Sequence, residues 1–115
     1  MSETAAKQIK WSLHETHPDL VQPLREKLSQ VVDPEIGLNI IQLGLIREVS
    51  IEGDMARMRM ILTTPFCPYG PALIEMARQR AQEALGRPVT IEIGMEMWDF
   101  SMMEDPSVLD WGLYA

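Results

Sequence analysis

Met55-Ala56-Arg57-Met58-Arg59-Met60-Ile61-Leu62-Thr63 decides the fold, because its side chains alternate in character. Met58, Met60 and Leu62 fall on one side and Arg57 and Arg59 on the other, the period of a half-buried strand over about 55–63. Upstream, Glu52-Gly53-Asp54 is a turn signal. Before it, Leu45, Val49 and Ile51 mark a strand at about 45–51, and so short a connection implies an antiparallel hairpin. Downstream, residues 68–86 predict a helix whose apolar face is Leu73/Ile74, Ala77, Ala81 and Ala84/Leu85, ended by Gly86 and Pro88. Next comes a strand at about 89–97, with Val89, Ile91, Ile93, Met95 and Met97 alternating against polar neighbours. Met95 and Met97 are thereby expected in the core with Met58 and Met60.

Outward toward the N-terminus, residues 18–32 predict the first helix, with Leu20/Val21, Leu24, Leu28 and Val31/Val32 on one face and Asp33-Pro34 as its stop. The apolar run 36–45, punctuated by Gly37 and Gly44, suits a loop that crosses the core or covers a site. The order is α-β-β-α-β. The expected fold is α+β: a two-layer sandwich, with a small mixed three-stranded sheet and both helices on one face. The opposite face should carry Arg57, Arg59, Glu92 and Glu96.

The chain has 115 residues, 46% of them hydrophobic and 23% charged, enough for one core. Net charge is −7, which argues against nucleic-acid binding, since phosphate neutralisation needs a basic face. Residues 88–115 hold six acidic residues and no Lys or Arg: a solubilising surface, or a docking surface for a basic partner. No apolar run approaches a membrane span, and a single cysteine forms no intramolecular disulfide, so a soluble cytoplasmic protein is the expectation. Residues 1–17 read as an N-terminal arm tacked down by Trp11 and Leu13. His14 and His17 read as surface residues rather than a metal pair. Residues 99–115 read as a C-terminal segment packing on the domain or a partner, with a short helix from Pro106. Met102 and Met103 fall outside the strand pattern, as an adaptable contact surface would.

No phosphate loop, dinucleotide fingerprint, nucleophile elbow or C-x-x-C pair occurs. Chemistry therefore centres on Cys67, in Thr63-Thr64-Pro65-Phe66-Cys67-Pro68. It falls between a strand and a helix, at or near the helix N-terminus, where backbone N–H groups and the helix dipole favour a thiolate. Such a thiolate can ligate metal, bind sulfur or attack an electrophile; a buried, inert cysteine is the alternative.

Asp33-Pro34-Glu35-Ile36-Gly37, then Leu43-Gly44-Leu45-Ile46, then the Cys67 run resemble the metal-sulfur cluster assembly family of SufT-like and PaaD-like small domains. The resemblance covers roughly residues 20–98, so 18–98 would be the assembly domain. It implies a cytoplasmic carrier or adaptor that matures or delivers iron–sulfur clusters to client proteins, rather than an enzyme. It also implies a site made of Asp33 and Glu35 from the acidic turn, Thr63, Thr64 and Cys67, with Cys67 as metal ligand. Two departures stand out. Gln42 replaces an Asp common before Leu-Gly-Leu, and Trp98-Asp99-Phe100-Ser101 replaces a proline-containing continuation.

A cluster normally needs several thiolates, and this chain has one. A transient cluster or iron would therefore be shared with a client, an assembly partner or a second copy in a homodimer. The alternative is a non-catalytic interaction module using Trp98, Phe100, Trp111 and Tyr114 with the acidic C-terminal segment. A third reading is a thiol enzyme pairing Cys67 with His14 or His17.

Overall fold

The computed structural model describes residues 10–34, 36–63, 68–99 and 102–103. In chain order the elements are α1 (Ser12–Thr16), α2 (Pro18–Leu28), β1 (Ile46–Glu52), β2 (Met55–Met60), α3 (Gly70–Leu85) and β3 (Val89–Ile93). The sheet order is β1-β2-β3, with β2 in the centre. β1 pairs antiparallel to β2 through the Gly53 turn, and β3 pairs parallel to β2 after the α3 crossover. This is the expected small mixed sheet.

β2 alternates strictly, with Ala56, Met58 and Met60 buried and Met55, Arg57 and Arg59 exposed. The inward residues join Val49, Val89, Leu24, Leu28, Leu73, Ala77 and Ala81 in one core cluster. The alanines of α3 remove bulk, so the helix packs close to its neighbours. The other sheet face is charged: Arg57 meets Glu92 at 3.5 Å, and Glu96 meets Arg59 at 3.1 Å and Arg47 at 3.8 Å. The Arg57–Glu92 pair is exposed and the Glu96 pairs are partly so, and each is individually worth little.

The N-terminal arm contains α1. Buried Trp11 donates its indole N–H to the Ile46 carbonyl at 3.0 Å, and Leu13 is fully buried. Glu48 reaches across to accept the Ser12 backbone N–H (2.7 Å) and hydroxyl (2.8 Å), supplying partners for the first turn of α1. Burial pushes the Glu48 carboxyl up, but the Ser12 and Val49 hydrogen bonds and the Arg59 charge outweigh it and hold it below the usual value.

Three expectations are corrected. First, α2 ends at Leu28, not near residue 32. The Ser29 hydroxyl donates to the Arg25 carbonyl at 2.7 Å, and the chain then turns into extended pairing: Val32 bridges Asn39, and Ile40 N–H donates to Val31 O at 2.9 Å. Asp33-Pro34 is thus the turn of this small pairing rather than the stop of the helix. Second, β3 ends at Ile93, and Met95 and Met97 are 94% and 79% exposed instead of core. β2 stops at Met60, the partner of Ile93, so nothing continues the ladder; Gly94 N–H makes a last bond to Met60 O at 2.8 Å. A Cβ at Gly94 would lie 3.0 Å from Ile61 Cγ2 and 3.3 Å from Arg59 Cδ and would press on the end of the Glu96 side chain, so a larger residue here would require these neighbours to shift. Third, Met103 is fully buried and Met102 packs against the core, so this pair is not an open contact surface. The expected helix from Pro106 lies outside the described residues.

Candidate functional site

The run 36–45 is the core-crossing loop that its composition suggests. Leu38, Ile40, Ile41, Leu43 and Leu45 are all buried. Its polar atoms are paired locally: Asn39 N–H donates to Gln42 Oε1 (2.9 Å) and Gln42 N–H to Asn39 Oδ1 (2.8 Å). This reciprocal arrangement has the logic of a capping box. Gln42 therefore closes its own turn, which the sequence alone did not reveal.

The acidic turn precedes this loop. Asp33 O accepts Gly37 N–H at 2.8 Å and Ile36 N–H at 3.3 Å, while Asp33 N–H donates to Leu38 O at 2.9 Å. Gly37 has φ +85°, a left-handed conformation that favours glycine. Asp33 is 1% exposed and is the buried charged side chain among the described residues. Its Oδ2 accepts the Thr63 hydroxyl at 3.4 Å, across 30 residues of sequence. Burying a carboxylate is costly unless it is hydrogen-bonded, so this contact supports the position of the turn. Thr63 lies just past β2, at the entry to the Cys67 run. Two of the five expected site residues, Asp33 and Thr63, are thus brought together; Glu35, Thr64 and Cys67 lie outside the described residues.

α3 begins at Gly70, three residues after Cys67, with Tyr69 as its N-cap. The N-cap makes no side-chain capping bond, and the first turn of the helix holds no acidic residue. Buried Gly70 sits close under Leu62, where a Cβ would come within 2.9 Å of Leu62 Cδ1.

Beside Thr63 runs an open groove of about 370 Å³, lined by residues 61–63 and 93–98. Its lining is mostly apolar, and Trp98 fixes one wall by donating its indole N–H to Leu43 O at 2.7 Å. The histidines have local partners: His14 Nδ1 accepts Trp11 N–H at 2.9 Å, and His17 Nδ1 lies 2.9 Å from the Thr16 hydroxyl. Among the described residues, no three His, Cys, Asp or Glu side chains gather as a metal site. No described helix is long and apolar enough to cross a membrane.

A compact mixed sheet backed by helices, with a buried acidic turn tied to the end of its central strand, defines a class of small α+β domain with known structures. A domain of unknown function from Bacillus anthracis superposes with a TM-score of 0.73 at 19% identity, over 86% of this chain and 97% of that one. A conserved hypothetical protein from Thermotoga maritima gives 0.67 at 25% identity, over 77% and 89%. The chain belongs to the iron-sulfur cluster assembly protein family, whose model matches residues 22–92. Among curated relatives, an Fe-S protein maturation auxiliary factor of Porphyromonas gingivalis is 35% identical over 101 residues, 85% of this chain and 92% of that protein. An iron-sulfur cluster carrier protein of Deinococcus radiodurans is 36% identical over 72 residues, 62% of this chain but 21% of the carrier.

Proposed function

We propose that this protein assembles or delivers iron–sulfur clusters to client apo-proteins as a carrier or adaptor, with Cys67 supplying a thiolate ligand to the cargo. The family and the maturation and carrier roles named for its relatives support the class of function. The observation that carries the site is the Thr63–Asp33 hydrogen bond, which ties the acidic turn to the entry of the Cys67 run. Asp33 is too buried to serve as an open ligand, so its role is to hold the turn. Thr64 and Glu35 flank the site in sequence, Glu35 offering a second carboxylate. A single thiolate cannot complete a cluster, so the cargo is shared with a client, an assembly partner or a second copy. Nothing in this role requires turnover chemistry.

The test is anaerobic reconstitution with iron and sulfide, followed by transfer to a client apo-enzyme. Cys67→Ser is expected to abolish cluster uptake and client activation while the circular dichroism spectrum stays unchanged. Wild-type uptake and activation by Cys67→Ser would refute the ligand role.

A further inference from the structure

Ile93, Met95 and Met97 are 51%, 94% and 79% exposed, three large apolar side chains in one five-residue stretch beside the groove. β3 is an edge strand, so no described strand pairs with its outer side. A run of this kind is ordinarily covered, because leaving it in water costs ~25 cal/mol per Å² of apolar surface. Past buried Met103 the sequence continues Glu104-Asp105-Pro106-Ser107-Val108-Leu109-Asp110-Trp111-Gly112-Leu113-Tyr114-Ala115. Five of these side chains are large and apolar: Val108, Leu109, Trp111, Leu113 and Tyr114.

We infer that this C-terminal segment seats in the groove, with Trp111 against Met95 and Met97. Reach permits it. Trp98 forms part of the groove, and Met103 follows five residues later, so the segment starts within ~18 Å of the groove along the chain. Trp111 lies eight residues further on, a span of up to ~28 Å. Tethering favours this occupant over a second copy. A short tether sets an effective concentration of roughly 1 mM, so an intrinsic Kd of ~0.1 mM fills about nine-tenths of the grooves, whereas a free copy at ~10 µM fills about a tenth. The net charge of −7 further opposes self-association. Tryptophan and methionine suit each other physically, since thioether–aromatic contacts are favourable. Because the groove borders Thr63, the seated segment stands beside the entry to the Cys67 run. On the function proposed above, which this last step alone assumes, a client would have to displace it.

The test uses metal-free full-length protein with ¹³C-labelled methionine methyls. Trp111→Ala is expected to move the Met95 and Met97 signals toward those of a fully exposed methionine. Met55 and Met76, exposed elsewhere, should stay still, and dispersed Met58, Met60 and Met103 signals report that the variant is folded. In wild type, nuclear Overhauser contacts between the Trp111 ring and the Met95 and Met97 methyls should persist through about tenfold dilution. Absence of those contacts overturns the inference whether or not the variant folds. Contacts that vanish on dilution overturn it in favour of a second copy. Because no iron or client is present, failure here leaves the Cys67 test standing on its own.

Discussion

Removing the Thr63 hydroxyl should weaken both the fold and the site, and the size of the effect follows from the contact. Thr63→Val keeps the side-chain shape but deletes a donor to a carboxylate that is 1% exposed. At 3.4 Å the bond is long, which places it toward the modest end for a charged acceptor, at ~1 kcal/mol. In urea that loss lowers the midpoint by ~0.5 M for a slope of ~2 kcal/mol/M. In a thermal scan it lowers Tm by about 4 °C, from an unfolding entropy of ~2.1 cal/mol/K per residue. Thr63→Ser keeps the hydroxyl and should retain most of the stability. The decisive assay is a double-mutant cycle with Asp33→Ala, followed by circular dichroism in urea, because Asp33→Ala alone also removes everything else that carboxylate does. The expected coupling is ~0.5–1.5 kcal/mol. A coupling below ~0.3 kcal/mol would mean the acidic turn and the strand end are energetically independent, and the reasoning that joins them would fail.

Gly37→Ala should cost ~1–2 kcal/mol in a urea titration. Nothing lies within 4 Å of the added Cβ, so the cost is that of the left-handed backbone alone. Met58→Ala should cost ~2–5 kcal/mol, whereas Met76→Ala, on the exposed side of α3, should stay within ~0.5 kcal/mol. Glu48 titrates below its ordinary 4.5 in the folded chain, so the unfolded chain takes up its proton first as pH falls. Its contribution is full above the unfolded value and is lost as pH drops through the lower folded value. Glu48→Gln should therefore flatten the acid limb of the stability profile and raise hydrogen exchange at the Ser12 amide; an unchanged limb would count against this latch.

Where local spacing and tertiary pairing agreed, the sequence was readable; where they competed, it was not. β2 alternates because one face meets the helices and the other meets water, and that contrast is written residue by residue. β1 is less legible because a bulge between Ile46 and Glu48 puts buried Ile46 and Val49 three residues apart. Val31 and Val32 continue the apolar spacing of α2, yet Val32 bridges Asn39, because the returning loop offers backbone partners that one more helical turn would forfeit. Met95 and Met97 keep a strand's period without a strand, since period two reports extended backbone and not the presence of a neighbour. In the site, Cys67 stood out as the single cysteine between a strand and a helix, and the acidic turn by resemblance. Their meeting through Thr63 and Asp33 depends on how the core-crossing loop folds back, which no local pattern encodes.

The exposed apolar residues bear on the proposed sharing of cargo by a lone cysteine. Val32 and Ile36 sit on the acidic turn, Tyr69 follows the Cys67 run by one residue, and Ile93, Met95 and Met97 border the groove at Thr63. Of the large exposed apolar side chains, only Met55 and Met76 belong to other parts of the described surface. A domain with a large enough core to bury Leu24, Leu43, Met58 and Met60 completely gains nothing for its own stability by leaving the others in water. On the role proposed above, in which one thiolate cannot complete a cluster alone, they would suit contact with a protein that brings the remaining ligands. On this view the C-terminal segment and a client compete for overlapping apolar ground. The affinity of the segment must then be modest, strong enough to cover the groove in the absence of a client and weak enough to yield when one arrives. A tether supplies that balance, because effective concentration raises occupancy without deepening the contact itself.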